Sequence, residues 1–232
     1  MQDQNAELDW RDGRIPVSRR FDDPYFSFDD GLAETRHVFL AGNDLPERFA
    51  PGFHVAELGF GTGLNFLVTW AAWRAIGRAA GVLGVLRFTS FEGYPMTVAD
   101  RVTALAAFAE LAPLAELLSA QTGTGVHDFG DVVLEVIVGD VRQTLSEWQG
   151  RADAWYLDGF SPAKNPEMWG ADLMAQVGAH TVPGGTLASY TAAGHVRRAL
   201  AQAGFEVTRV PGFGRKRHMT VARMPEAAPH AQ

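Results

Sequence analysis

A glycine-rich turn preceded by an acidic residue is the segment whose residue types most directly indicate chemistry. The apolar run 53–56 leads into Glu57, and an apolar-periodic segment begins at Leu64. This order predicts a strand, a tight turn and a helix. Glycines let the backbone pass close to a ligand, and a helix start presents unpaired N–H groups. We therefore predict a nucleoside-like cofactor at the end of a central strand, contacted by Glu57, Gly59, Phe60, Gly61, Thr62, Gly63 and Asn65.

The spacing of these glycines separates two classes of cofactor. A dinucleotide-binding turn has the pattern Gly-x-Gly-x-x-Gly, whereas Gly59, Gly61 and Gly63 alternate with single residues. Glu57 would also repel a pyrophosphate, because like charges repel at short range. A carboxylate at this position favours a cationic ligand, such as the sulfonium and amino group of S-adenosylmethionine. A glycine-rich loop without a ligand is the alternative interpretation.

Three further acids, Glu92, Asp140 and Asp158, each follow a predicted strand. Ligands of open α/β sheets bind outside the carboxyl ends of the strands. We predict that Glu92 accepts from the ribose hydroxyls, that Asp140 accepts from the adenine amino group, and that Asp158 faces an amine acceptor. The structural alternatives are a solvated loop acid at Glu92, a helix N-cap at Asp140 and an Asp-Gly turn at Asp158. Together the three acids predict a negative crevice suited to a cationic donor and an amine.

Two segments carry residue types that suit nucleic acid. In the loop after Asp158, Phe160 or Trp169 is predicted to stack on a base, and Lys164 or Asn165 to contact a phosphate. The run Arg215, Lys216 and Arg217 is a local basic spot suited to an RNA backbone. A surface loop and a solvated turn are the alternatives for these two segments.

The elements that must position these residues alternate between strands and helices from residue 53 onward. Predicted strands cover 53–58, 87–91, 134–138, 154–157 and 186–190, and predicted helices cover 64–76, 98–109, 142–148, 172–180 and 195–203. Two last strands, 205–210 and 219–223, are joined by a short connection that suits an antiparallel pair. We predict an α/β fold of the Rossmann-like class I methyltransferase type, with a mostly parallel seven-stranded sheet whose last strand is antiparallel.

Three regions are predicted along the chain. Residues 1–50 are expected to be an N-terminal extension that packs on the core, with a hairpin over 8–17 around Asp12-Gly13 and a short capped helix at 43–49. Residues 51–224 are the expected methyltransferase domain. Residues 225–232 are expected to be a disordered tail.

Composition narrows the function classes further. The chain has 232 residues, 47% hydrophobic and 20% charged, with a formal net charge of -7, so a nucleic-acid partner needs a local basic patch. The absence of cysteine excludes disulfides and zinc–thiolate sites. No residue pair has metal-ligand spacing, and neither a signal peptide nor a membrane segment is indicated. We expect a cytoplasmic protein without a metal.

Four segments together resemble a known family. They are DGLAETRHVFL with GNDLPERF at 30–40 and 42–49, ELGFGTGLN at 57–65, DGFSPAKNP at 158–166, and GFGRKR at 212–217. This set resembles the methyltransferase (N-terminal) domain of the bifunctional tRNA 5-methylaminomethyl-2-thiouridine biosynthesis family, MnmC. The resemblance runs from about residue 25 to residue 223. The second segment is common to many methyltransferases, whereas the other three are more specific.

The resemblance implies a reaction and roles for the residues. The family transfers a methyl group from S-adenosylmethionine to the amine of 5-aminomethyl-(2-thio)uridine at wobble position 34 of tRNA, leaving S-adenosylhomocysteine. It places Glu57, Gly59 and Gly61 on the donor turn and Glu92 on the ribose. It also places Asp140 on the adenine, Asp158 at the amine as the catalytic residue, and 215–217 on the tRNA anticodon stem-loop. Gly93-Tyr94 departs from the Lys-aromatic pair associated with the family.

The bifunctional relatives also carry a flavin oxidase domain, which we do not expect in this chain. It therefore resembles a stand-alone methyltransferase, and either a separate enzyme makes the amine or the aminomethyl group is installed directly. Two other classes stay open. One is an aminopropyl transferase or small-amine N-methyltransferase of the same fold, and the other is a binding module that has lost its chemistry.

Overall fold

The N-terminal residues form a small antiparallel sheet. The computed structural model describes residues 5–27, 30–80, 84–121 and 124–227. Strands β1 (Leu8–Arg11) and β2 (Ile15–Ser18) form the predicted hairpin, and both Asp12 and Gly13 of its turn have positive φ. A third strand, β3 (Asp23–Pro24), pairs with β2. The prediction of a hairpin alone missed β3 because two residues are too few to show an alternating pattern.

A helical segment then leads into the core. It consists of helix α1 (Gly31–Thr35), a π-helical turn (Arg36–Leu40) and a 3-10 turn (Ala41–Asn43). The predicted short helix at 43–49 is wrong, because residues 44–48 are a turn. Asp44 adopts the left-handed conformation, which ends the helical path. The buried side chain of Asn43 donates to the carbonyls of Phe39 and Trp155 instead of capping a helix.

The central sheet of the described chain has eight strands. They are β4 (His54–Leu58), β5 (Leu86–Glu92), β6 (Gly125–Asp128), β7 (Val132–Val138), β8 (Ala152–Leu157), β9 (Thr181–Ser189), β10 (Glu206–Pro211) and β11 (His218–Arg223). Their order is β10-β11-β9-β8-β4-β5-β7-β6. The pairs β9–β8, β8–β4, β4–β5 and β5–β7 are parallel, whereas β11 runs antiparallel to both neighbours. The predicted α/β class with an antiparallel last strand is confirmed.

The strand count is a correction to the predicted seven. The additional strand β6 pairs antiparallel with β7 at the edge of the sheet. Its sequence, Gly-Val-His-Asp, contains a single apolar β-branched residue, Val126, whose side chain is exposed. A strand held mainly by backbone hydrogen bonds at an edge leaves little hydrophobic periodicity to detect.

Helices cover both faces of this sheet. They are α2 (Leu64–Ala80), α3 (Val98–Leu105), α4 (Ala112–Ala120), α5 (Val141–Glu147), α6 (Ala171–Ala179) and α7 (Gly194–Gln202). The five predicted helices are all found, with ends shifted by at most four residues. Helix α3 ends at Leu105, and the unpredicted α4 follows with a proline in its first turn. Pro113 suits this position because a first-turn residue needs no N–H donor.

The core has two layers because successive strand residues point to opposite faces of the sheet. In β8, Tyr156 packs with Phe66 and Phe88 on one face, whereas Trp155 and Leu157 pack on the other. All these side chains are fully or almost fully buried. Within the described residues no helix is long and apolar enough to cross a membrane. Of the predicted tail, 225–227 are described, with Gly184 N donating to the Pro225 carbonyl, and 228–232 lie outside the described residues.

Candidate active site

The carboxyl ends of β4, β5, β7 and β8 meet at one edge of the sheet, where a cavity of about 770 Å³ opens. The turn after β4, the acid at the end of β5, the N-terminus of α5 and the loop after β8 line this cavity. So do the segment 20–27, helix α1 and the turn between β10 and β11. The predicted crevice outside the strand ends is thus a real cavity, roofed by N-terminal and C-terminal segments.

The glycine turn after β4 lies directly against the loop after β8. Gly59 has φ +92°, and a Cβ atom there would lie 2.3 Å from the carbonyl oxygen of Asp158. Gly61 has φ +52°, and its missing Cβ would lie 3.0 Å from the ring of Tyr25. Glycine is required at Gly59 on both grounds, since positive φ is unfavourable for other residues and none fits the contact. Gly59 therefore lets the turn after β4 and the loop after β8 pack backbone against backbone.

Glu57 is buried behind this turn rather than exposed in the cavity. Its side chain has 0% exposure and accepts from Asn65 Nδ2 at 2.8 Å and from Ser90 Oγ at 2.7 Å. Burial raises its pKa well above the ordinary value. Among the described residues, Glu57 contributes nothing to the cavity lining, so its influence on a ligand passes through Asn65.

Asn65, on the first turn of α2, joins the two carboxyl groups. Its Nδ2 donates both to Glu57 and to Asp158 Oδ2, the latter at 2.6 Å. Its Oδ1 accepts from Thr35 Oγ1 at 3.0 Å, which fixes the orientation of the amide. Asn65 and Thr35 are both buried. Both Nδ2 hydrogens and the Oδ1 atom make hydrogen bonds, so the amide has one orientation and holds Asp158 in one position.

Asp158 is the acid in the cavity whose properties best suit proton transfer. It lies directly after β8 and is partly buried at the cavity wall. Burial raises the pKa of its carboxyl to about 7, while the hydrogen bond from Asn65 acts in the opposite direction. A carboxyl group that titrates near neutral pH is suited to act as a general base under physiological conditions.

Glu92 and Asp140 also line the cavity, at the end of β5 and just after β7. Glu92 accepts from the backbone N–H groups of Gly61 and Tyr94, at 2.8 Å and 2.7 Å. Burial raises the pKa of Glu92. Asp140 caps helix α5 and receives the guanidinium of Arg142, which lowers its pKa. The N-cap that we kept as the alternative for Asp140 is therefore present, and Asp140 also lines the cavity.

The loop after Asp158 is tied to the N-terminal sheet. Phe160 stacks on Phe21 with ring centroids 4.7 Å apart and meets Tyr25 edge-on at 5.0 Å. Lys164 donates to the carbonyl of Asp22 and forms ion pairs with Asp22 and Asp23. Asn165 lines the cavity, whereas Lys164 does not.

The basic run lies in the turn between β10 and β11. Arg215, Lys216 and Arg217 are exposed as whole residues, and the first two line the cavity mouth. Lys216 Nζ lies 2.8 Å from Glu34 Oε1 and 4.1 Å from the centroid of the Tyr190 ring. The three cations thus do not form one uniform surface patch, because Lys216 reaches inward.

Several lining residues were not predicted as site residues. They are Arg20, Phe21, Asp23, Tyr25, Glu34, Arg142 and Tyr190, which come from segments distant in sequence. Tyr190 follows β9, so its position after a parallel strand was a usable signal. The side chain of Phe60 packs in the core beside Gly63, and Thr62 is also buried. In the described parts of the chain, no group of three metal-ligating side chains is present.

The chain matches a known protein-family model over its C-terminal half. The family model described as S-adenosyl-L-methionine-dependent methyltransferase matches residues 109–225, just over half of the chain. The matched region includes Asp140, Asp158 and the turn 212–217. The glycine turn and Glu92 lie before it.

Two curated relatives carry the name "tRNA 5-methylaminomethyl-2-thiouridine biosynthesis bifunctional protein MnmC". The protein from Marinobacter nauticus is 49% identical over 232 residues, covering 95% of this chain and 37% of its own length. The protein from Stutzerimonas stutzeri is 47% identical over 228 residues, covering 93% of this chain and 34% of its own. The chain therefore spans about a third of the length of these relatives, and the resemblance indicated by the four segments is confirmed.

A solved structure shares the fold. The crystal structure of MNMC2 from Aquifex aeolicus has a TM-score of 0.76 and 24% sequence identity. It covers 100% of this chain and 74% of the crystallised one. The sheet order, the cavity at the strand ends and the family match lead to one assignment: the chain belongs to the S-adenosyl-L-methionine-dependent methyltransferase family.

Proposed function

We propose that this protein is a tRNA (5-aminomethyl-2-thiouridylate) N-methyltransferase. It would transfer the methyl group of S-adenosylmethionine to the amine of 5-aminomethyl-(2-thio)uridine at wobble position 34. The observation that carries this proposal is Asp158, a carboxyl group with a pKa near 7 beside the glycine turn. Support for the substrate comes from relatives that are about half identical in sequence and named for tRNA 5-methylaminomethyl-2-thiouridine biosynthesis.

The donor side of the cavity suits S-adenosylmethionine. Gly59 and Gly61 keep the turn free of side chains where the backbone would approach the donor. Backbone N–H groups of Gly61 and Tyr94 donate to Glu92 and orient its carboxylate, which would accept from a ribose hydroxyl. Asp140 lies beside the start of α5, where an adenine amino group would find an acceptor. When bound, the donor supplies an electrophilic methyl group on a sulfonium.

On the acceptor side, Asp158 has two tasks. An alkylamine is largely protonated near neutral pH, and only its neutral form has a lone pair for attack. Asp158 accepts that proton at one oxygen, and its other oxygen accepts a hydrogen bond from a remaining amine N–H, so the nitrogen lone pair stays free for attack. Asn65 keeps the carboxyl group in position. Correct positioning of two reacting groups can supply roughly 7–11 kcal/mol of the barrier reduction. We attribute most of the rate acceleration to this alignment. We assign the proton transfer to Asp158.

The RNA would approach across the cavity mouth. Phe160 lies there in an aromatic group with Phe21 and Tyr25, which suits stacking with a base. Arg215 and Arg217 are exposed on the turn between β10 and β11, where they suit phosphate contacts. Lys164 supports the loop through Asp22 and Asp23, and Asn165 faces the cavity. The proposed partner is the tRNA anticodon stem-loop.

The test is methyl transfer from labelled S-adenosylmethionine to tRNA that lacks only the last wobble step, followed by nucleoside mass analysis. We expect one added methyl group on 5-aminomethyl-(2-thio)uridine. Asp158→Asn keeps the shape and the contact with Asn65 but cannot accept the proton, so turnover should fall by about 10²–10⁴-fold. Asp9→Asn, which changes an exposed acid of the N-terminal sheet, is the charge-matched control.

Two results would count against this assignment. Full activity of Asp158→Asn at saturating substrate would remove the proton-transfer role. No incorporation into tRNA, together with methylation of a free amine such as putrescine, would favour a small-amine methyltransferase. Reaction of putrescine only with decarboxylated S-adenosylmethionine would favour an aminopropyl transferase.

A further inference from the structure

Lys216 points into the cavity although it belongs to an exposed turn. Its Nζ donates to Glu34 Oε1 at 2.8 Å and lies 4.1 Å from the centroid of the Tyr190 ring. The Glu34 side chain is only 14% exposed, so the ion pair is partly shielded from solvent. A lysine used solely for phosphate contacts would extend outward, as the exposed position of this turn permits. The ammonium is held instead by a carboxylate and an aromatic face.

This ammonium lies close to the proposed proton acceptor. Tyr190 donates its hydroxyl to the Gly159 carbonyl at 2.6 Å, which fixes the ring beside Asp158. The charges of Glu34 and Lys216 both act on the pKa of the Asp158 carboxyl, in opposite directions. All four side chains line the same cavity. Lys216 Nζ, the Tyr190 ring and the start of the loop after β8 are therefore neighbours in one part of the cavity.

The chemical match is direct. A lysine side chain ends in a methylene-bound ammonium, and so does the protonated 5-aminomethyl group of the proposed acceptor. A carboxylate with an aromatic face is a favourable site for such a cation, through a charge-assisted hydrogen bond and a cation–π contact. We propose that Glu34 and the face of Tyr190 form the recognition site for the acceptor's alkylammonium group, and that Lys216 occupies this site until the acceptor displaces it.

This inference rests on the proposed function for the identity of the acceptor. It adds specificity residues and an exchange between two cations at one site. The incoming ammonium is bound by Glu34 and Tyr190, and its proton then passes to Asp158. The displaced Lys216 moves to the exterior of the turn beside Arg217, where it contacts the RNA backbone. A neutral substituent on the uridine would not displace Lys216, so selection of an amine is built into the exchange.

The first experiment uses methylammonium chloride as the probe, with binding to the full chain measured by saturation-transfer NMR. In Lys216→Met the site has lost its internal occupant, so we expect methylammonium to bind at least about fivefold more tightly than to the wild type. Adding Glu34→Gln or Tyr190→Leu to Lys216→Met should abolish this gain. Tyr190→Phe keeps the ring face and should retain it. Equal binding by wild type and Lys216→Met would overturn the proposal.

A control variant separates this effect from a general change in charge. Arg36→Met also removes one cation, from an exposed ion pair with Glu110 outside the cavity. It should bind methylammonium as the wild type does. A gain in Arg36→Met equal to that in Lys216→Met would show a nonspecific charge effect and overturn the site.

The second experiment measures KM for an anticodon stem-loop that carries the aminomethyl group. We expect Lys216→Met to change this KM by less than about threefold, because the vacated ammonium site offsets the lost backbone contact. Glu34→Gln should raise it about tenfold without changing the KM of the donor. A large rise in KM for Lys216→Met would identify Lys216 as a backbone contact alone and overturn the exchange. If methylammonium binds as expected and wild type does not methylate the RNA, the ammonium site stands and the proposed function fails.

Discussion

At the scale of single residues, Gly59 is where the donor turn and the Asp158 loop come closest. Its φ of +92° and the distance of only 2.3 Å that would separate a Cβ atom from the Asp158 carbonyl oxygen both exclude a side chain. Any substitution must push apart the two segments that the proposed reaction aligns. Gly59 thus links stability and catalysis at one position, independently of any contact made by its own atoms with a ligand.

A comparison of Gly59→Ala with Gly52→Ala separates the cost of the steric clash from the cost of the positive φ. For Gly59→Ala we expect the free energy of unfolding to fall by about 3 kcal/mol or more, with loss of donor binding, because backbone atoms must move. Gly52→Ala is the matched control, since Gly52 has φ +78° but no atom within 4 Å of its Cβ position. That control should cost only about 1–2 kcal/mol. Urea unfolding and calorimetry with S-adenosylmethionine measure both effects, and equal losses in the two variants would refute the steric explanation.

The sequence predicted the positions of individual acids better than it predicted the side chains around them. The positions of Glu92, Asp140 and Asp158 after strands follow from the parallel topology, which brings strand ends to one edge. The complete burial of Glu57 behind Asn65 could not be predicted, because it depends on side chains from α2 and β5. The ion pair of Lys216 with Glu34 joins residues far apart in the chain, for which a single sequence carries no signal.

At the scale of elements, predictability follows the strength of the hydrophobic pattern. The buried strands β4 and β8 and the helix α2 are long apolar segments, and all were predicted. Strands β3 and β6 are short and lie outside the main core, so backbone pairing stabilises them without an apolar pattern. Helix α4 lies close behind α3 and a 3-10 turn, and the sequence analysis placed no helix there.

The short strand β3 holds the loop after β8 in place through contacts of Asp23. Asp23 Oδ2 accepts from Ser161 N at 2.9 Å, and Asp23 also pairs with Lys164 at 3.5 Å. Asp23→Ala should release the loop 159–165, lower the free energy of unfolding by about 1–2 kcal/mol and raise the KM for RNA. Amide hydrogen exchange of this loop, together with urea unfolding, measures the release.

The neighbouring Asp22 is the control for this tether. Its side chain is 85% exposed and its carboxylate makes only a 3.4 Å contact with Lys164. Asp22→Asn removes the charge, and asparagine tolerates the positive φ of 48° at this position. This variant should therefore change exchange and stability little, because an exposed ion pair contributes little. If both variants released the loop equally, the Lys164 ion pairs rather than the Ser161 hydrogen bond would be the tether.

At the scale of the whole molecule, the sheet concentrates buried acids at one end. Glu57, Glu92 and Asp158 all have pKa values raised by burial, and all lie at the carboxyl ends of adjacent strands. In the protein without a ligand, burial disfavours the ionised form of each of these carboxyl groups. A bound cation lowers the free-energy cost of ionising these buried carboxyl groups. Without the cation, the same acids that suit a sulfonium and an ammonium lower the free energy of unfolding at higher pH.

The pH dependence of stability tests this arrangement. Because burial raises the pKa of Asp158 to about 7, the folded state holds a proton that the unfolded state has released between about pH 4 and pH 7. The free energy of unfolding should therefore decrease as the pH rises through this window. Asp158→Asn is neutral throughout and keeps the acceptor for Asn65, so its stability should decrease less. Water in the cavity screens part of the penalty, and we expect the variant to exceed the wild type by about 2–6 °C in Tm at pH 8.

Thermal unfolding from pH 4 to pH 8 at constant ionic strength measures this difference. The difference between the two proteins, rather than either curve, carries the result, since Glu57 and Glu92 titrate in both. S-adenosylmethionine should reduce the difference, because its positive charge stabilises the ionised Asp158 of the wild type and has no such partner in the variant. Melting curves that stay parallel at every pH would mean that Asp158 titrates at its ordinary value, and a general base poised near neutral pH would then be excluded.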